Sequence, residues 1–146
     1  MADLVQTAAS VAPISGVPNQ LQTVVAGAAI TAGQVVYKDF LTGNWFPATG
    51  TIDANHAGQY GCGIALDSAP GAGQYFTVLL AGQINLGAAL SIGQVYAVSC
   101  SGIAGNIAPY SDLIGGNFVT ILGVAVSASV LVMPWSGPLV SNVSHA

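Results

Sequence analysis

Two short stretches of this 146-residue chain hold side chains that could do chemistry together. The first is IDANH (52–56), which sets Asp53 and His56 three residues apart in a loop. An Asp that orients a His is part of a hydrolytic triad. The same pair, joined by Asp67 or Asp112 from elsewhere, would begin a metal site. The chain has no G-x-S-x-G elbow to supply a nucleophile, and further ligands would have to come from afar. An Asp and a His in such a loop commonly satisfy nearby backbone instead. The expectation is a turn, with no catalytic residue, no metal and no cofactor. The second stretch is Lys38-Asp39, which contains the only lysine. It reads as a solvent-facing ion pair worth about 0–1 kcal/mol, with a carboxylate of another subunit as the alternative partner. His145 is expected to be solvated. Cys62 and Cys100 lack a CxxC spacing and read as free, buried thiols, although spacing alone leaves one disulfide open. The glycines stand singly at strand ends, so neither a P-loop nor a dinucleotide fingerprint is present.

Composition narrows the function further. Hydrophobic residues make up 53% of the chain and charged residues 4%, with neither Arg nor Glu and a net charge of −4. One lysine cannot neutralise a phosphate backbone, which excludes nucleic acid. The same lack excludes a basic membrane-binding face. MADLVQTAASVAPISG (1–16) has no positive n-region and does not read as a secretory signal. FVTILGVAVSASVLVMPW (118–135) is long enough to span a bilayer. Gly123, Ser127, Ser129 and Pro134 interrupt it, and no basic residue flanks it. Two strands joined at Ser127–Ser129 fit it better. A nearly neutral surface promotes association, so the chain reads as a homo-oligomer whose flanks touch other protein.

The elements that carry these residues are written twice. AITAGQVVY (29–37) matches ALSIGQVYA (89–97) at an offset of 60, and GNWFPA (43–48) matches GNIAPY (105–110) at 62. GIALDS (63–68) matches GVAVSA (123–128) at 60, and YFTVLLAGQI (75–84) resembles SVLVMPWSGP (129–138). The order is shared and length changes fall in loops, which implies a duplicated unit of about 60 residues. Short Val-rich runs bounded by Gly, Asn, Ser and Pro predict strands near 23–26, 34–40, 44–48, 60–66, 74–81, 83–87, 94–99, 106–109, 118–126 and 129–135. The expected fold is all-β, a compact barrel or sandwich of two related units, about 23–87 and 88–140. An extended arm (1–22) precedes them and a tail (141–146) follows. Leu4, Val5, Val11, Ile14 and Val17 make the arm apolar enough to add a strand to a neighbour's sheet. Adjacent strand residues point to opposite faces, so one member of Trp45-Phe46 and one of Tyr75-Phe76 should face outward. Trp45, Tyr75 and Trp135 are therefore interface candidates.

AGAAITAGQVVYKD, GNWFPATG, GCGIALDSAPGAG and VLLAGQI together resemble the decoration, or cement, proteins of tailed-bacteriophage heads, over about residues 25–140. The resemblance implies a β-rich, commonly trimeric protein without catalytic residues. It implies as partner the major capsid protein, bound on the outer face of the shell at junctions between capsomers, and a virion location after synthesis in the host cytoplasm. A receptor-binding or fibre module of a phage is the alternative. A hydrolase built on Asp53 and His56 is the rival from another class.

Overall fold

The computed structural model describes residues 3–113 and 118–144; His145 lies outside them. The described chain is all-β. Eleven strands form one connected sheet, curled into a half-barrel. They are β1 (Ala12–Pro13), β2 (Gln20–Val25), β3 (Val35–Lys38), β4 (Trp45–Pro47), β5 (Cys62–Ala65), β6 (Tyr75–Asn85), β7 (Val95–Val98), β8 (Ile107–Pro109), β9 (Phe118–Ala125), β10 (Val130–Met133) and β11 (Leu139–Ser144). Two short 3-10 turns, Ala8–Ser10 and Tyr110–Asp112, complete the assigned elements.

The strand order along the sheet is β4-β3-β5-β6-β10-β9-β7-β8. It reads the same from either end once β3, β4, β5 and β6 are matched with β7, β8, β9 and β10. Registers repeat as well. Val36 faces Pro47 and Tyr96 faces Pro109; Val35 faces Ile64 and Val95 faces Val124. The loop that leads into each half's first strand is also bonded alike. Gly33 N–H donates to the Ala65 carbonyl at 2.8 Å, and Gly93 N–H donates to that of Ala125 at 2.8 Å. The last correspondence differs from the sequence match by one residue. Ala65 faces Val78 and Ala125 faces Leu131, an offset of 53 where the aligned strings give 54.

Strand β6 is continuous, where the sequence predicts two strands broken near position 82. Gly82 absorbs the irregularity with φ +124, a conformation L side chains rarely adopt. Asn19 occupies the space a side chain there would need, and its Oδ1 accepts the Gln83 N–H at 2.9 Å. The first part of β6 pairs with β5 and the last part with β10, so this strand joins the two halves. The stretch 118–135 forms β9 and β10 joined by a turn. β1 and β11 lie outside the predicted strands.

The N-terminal stretch lies along its own chain. β1 pairs with the end of β6 through Ala12 to Asn85 and Pro13 to Ile84, and β2 pairs with its beginning, out to Val25 opposite Tyr75. Ile14 N–H donates to the Gln83 carbonyl between them. Farther upstream, Leu4 N–H donates to the Ile107 carbonyl at 2.8 Å and Thr7 N–H to that of Gly87 at 2.7 Å. The Gln6 amide bridges the Gly33 and Leu86 carbonyls. Backbone groups that would otherwise need water are thereby paired. Residues 3–25 thus strap one half to the other.

Burial follows the ladder. The central cluster takes Val35, Tyr37, Ile64, Leu79 and Ile84 from the first half and Tyr96, Val98, Ile107, Leu122 and Leu131 from the second, with Val11 of the strap. A second cluster lies on the other face of the first half, where Val36, Trp45, Ala65 and Val78 sit under Val24, Ala26, Ile30 and Ala69. Each large apolar side chain fully buried is worth about 1.5–3 kcal/mol.

Candidate functional site

The loop between β4 and β5 carries the Asp53–His56 pair. One Asp53 oxygen, Oδ1, accepts both the His56 backbone N–H at 2.8 Å and a contact from His56 Nδ1 at 2.6 Å. The carboxylate thus caps a backbone N–H three residues on, the local side-chain-to-backbone bond that such a loop favours. The His56 backbone N–H is the main influence holding the Asp53 carboxyl below its usual range; partial burial opposes it and the His56 ring adds to it. The His56 ring lies 5.1 Å from that of Tyr37, tilted by 47°. Among the described residues, no hydroxyl or thiol hydrogen-bonds to the His56 ring, and no three of His, Cys, Asp and Glu gather to hold a metal ion. The pair shapes a turn.

The same loop is tied to the β3–β4 hairpin. Asn55 Nδ2 donates to Asp39 Oδ1 at 3.0 Å, and Asp39 Oδ2 accepts from Thr42 N–H and Oγ1. The Asn55 amide leads these donors in holding the Asp39 carboxyl below its ordinary value. The tie brings the Phe40 ring within 5.2 Å of Tyr60. Phe40, Leu41, Ile52 and Tyr60 are all more than half exposed, at 56, 78, 58 and 53%. Lys38, Asp39, Phe40, Gly43 and Tyr60 line an open groove at this tip. Sequence reading missed this cluster. Its trace is Phe40-Leu41 beside the turn at Gly43, where polar residues are usual.

The proposed interface residues divide. Val5 is 89% exposed, Tyr75 72% and Trp135 61%. Leu4 packs partly buried against the central cluster, and Ile14 and Val17 are half-buried. Two positions are corrected. Val11, at 8% exposure, belongs to the chain's own core, because the strap lies down on β6. Trp45, at 4%, is buried, because β4 is covered on both faces: Trp45 enters the second cluster while Phe46 packs against the central one. Alternation holds at Tyr75 and Phe76, where the first is exposed and the second 2% accessible.

Both cysteines are free and buried. Burial pushes the Cys62 thiol up to about 12 and the Cys100 thiol up to about 11. Cys62 borders a cavity of about 360 Å³ that Gln20, Gln59, Leu80 and Ser136 also line. Its lining offers amides, a hydroxyl and backbone rather than ions. At the strap's start, Asp3 accepts hydrogen bonds from Ser99, from Ser101 Oγ at 2.7 Å and from Asn106 Nδ2 at 2.8 Å. Burial works to raise the Asp3 carboxyl, and the three donors outweigh it and hold the group below its ordinary value.

No protein-family model matches the chain, and no curated protein matches it.

Proposed function

We propose that this chain is a non-enzymatic structural protein of a phage virion. It acts as a homo-oligomeric clamp on the outer surface of the capsid, built from two related units of about 60 residues. The observation that carries the reading is where the resembling motifs fall. VVY lies in β3, GIA in β5 and VLLAGQI in β6, three strands paired in that order. The motifs thus make one continuous framework rather than scattered likenesses.

The surface supports the same reading. Exposed large apolar side chains outnumber charged residues among those described. Apolar patches on a protein surface mark contacts with other macromolecules. A protein bound to the assembled shell and not to its free parts stabilises the shell by its binding free energy. Such a clamp needs area and shape, on the order of 800 Å² per partner, and no reacting group.

The test is thermal. Heads of the encoding phage, stripped of this chain, are heated with and without it, and DNA release is followed by dye fluorescence. Added protein raises the release temperature if the reading holds. An unchanged release temperature at saturating protein overturns it. The exposed Phe40–Tyr60 tip favours one second reading, a receptor-binding module, which binding to host cells rather than to heads would reveal.

A further inference from the structure

The two halves meet end to end along β6. β1 and β2, with Asn19 between them, follow one edge of this strand. β5 and β10 share the other edge. β5 reaches Leu79 through Ile64, and β10 takes over at Gly82 through Met133. Leu80 and Ala81 fall in the gap. On the opposite edge the register of β2 shifts at the same place, between Gln20 and Leu21. Irregularities of this kind are over-represented beside functional sites.

The cavity of about 360 Å³ lies at this gap. The first half contributes Gln59 and Cys62, the second half Ser136 and Pro138, and Leu80 and Gln20 lie between them. Small-ligand pockets hold about 300–1,000 Å³ and favour such junctions.

The second half closes the corresponding place. Along β9, β10 pairs through Val132 with Val124, and the chain then turns back so that β11 pairs through Leu139 with Ile121. β6, the counterpart of β10, runs on into the second half instead. Among the described residues, no strand does for the stretch before β5 what β11 does for the start of β9. The opening is therefore a product of how the halves are joined.

We propose that this cavity binds a neutral saccharide. The proposal is independent of attachment to the shell. Gln20 Nε2 donates to the Trp135 carbonyl at 2.8 Å, which leaves the Gln20 side-chain oxygen as an acceptor. Gln59 and Ser136 are exposed and offer donors and acceptors together. Leu80 and Pro138 add apolar surface. A sugar ring carries the same mixture, hydroxyls that donate and accept set on C–H faces. Other ligands match it less well. An ion would enter without a counter-charge, because the lining holds none. A hydrocarbon would take water from the amides and return no hydrogen bond. A peptide strand would need an extended edge to pair with, and residues 54–60 run through turns.

The experiment screens the full chain on an array of neutral and acidic oligosaccharides. The best neutral ligand is then titrated by calorimetry into the parent, Gln59→Ala, Ser136→Ala, Gln59→Trp and Ile92→Ala, each checked by circular dichroism. Gln59 and Ser136 are both exposed, so either carries the test if the other variant fails to fold. The expected result is saturable binding of a neutral oligosaccharide, weakened about three- to tenfold by Gln59→Ala or Ser136→Ala, the effect of one lost hydrogen bond. Gln59→Trp, which fills the mouth, abolishes binding, and Ile92→Ala leaves it unchanged. No binding of any neutral oligosaccharide at millimolar concentration overturns the proposal. So does binding of acidic oligosaccharides alone, or parental affinity in the folded Gln59 and Ser136 variants. Head binding is scored separately: saccharide binding by a chain that ignores heads removes the capsid reading, and attachment to heads without saccharide binding removes this one.

Discussion

Gly63 and Gly123 meet the same obstacle in the two halves of the sheet. A methyl group on Gly63 would run into the Leu79 carbonyl, and one on Gly123 into the Val132 carbonyl, the ladder counterpart of Leu79. Neither obstacle is a side-chain end that could swing aside.

Gly63→Ala and Gly123→Ala should therefore each destabilise the fold by about 1–3 kcal/mol, the usual cost of overpacking. Gly71→Ala serves as control, because nothing lies within 4 Å of its added methyl group. Urea denaturation checks this. Equal midpoints for all three variants would contradict the close approach.

The strap should loosen in acid. The Asp3 carboxyl is held below its ordinary value in the folded chain. Its contribution is present above the unfolded-state value, about 3.9, and is lost as pH falls through the lower folded value. Hydrogen exchange at the Leu4 and Thr7 amides, corrected for intrinsic rate, should quicken on acidification below about pH 4. Asp3→Asn should show the quickening already at neutral pH. Unchanged protection of both amides in that variant would show that Asp3 does not hold the strap.

The thiols should be inert while the chain is folded. With the Cys62 thiol at about 12 and the Cys100 thiol at about 11, roughly a thousandth or less of either is thiolate at pH 8, and the thiolate is the reactive form. Alkylation by iodoacetamide should be slow for the native chain and complete in denaturant. Rapid stoichiometric labelling of the folded protein would contradict their burial.

His56→Ala should cost no more than about 1 kcal/mol, the range of an exposed ion pair, and should leave head binding unchanged. Thermal denaturation and pelleting with heads read the two effects. Loss of an ester-hydrolysing activity in this variant would instead restore the hydrolase reading of Asp53 and His56.

Much of the sheet was legible from local sequence, because short Val-rich runs between turn residues report pleated, buried surface directly. What escaped depends on contacts distant in sequence. Gln6 binds the carbonyls of Gly33 and Leu86, and no local pattern announces that, so the strap reads as an extended arm for a neighbour's sheet. Alternation points Trp45 outward because it assumes one wet face, and β4 packs on both. The continuity of β6 turns on Asn19 filling the space beside Gly82. The Phe40–Tyr60 tip appears only once exposure is known, and Val124 and its buried counterpart Ile64 likewise look alike as residues.

The central claim is attachment to the shell, and pelleting measures it most directly. Purified chain is mixed with expanded heads at about 0.1 M and about 1 M salt, concentrations that differ several-fold in screening length, and bound protein is quantified after centrifugation. Binding should be saturable at a fixed ratio to the major capsid protein, with nearly the same affinity at both salts. Protein that stays in the supernatant at every concentration would contradict it.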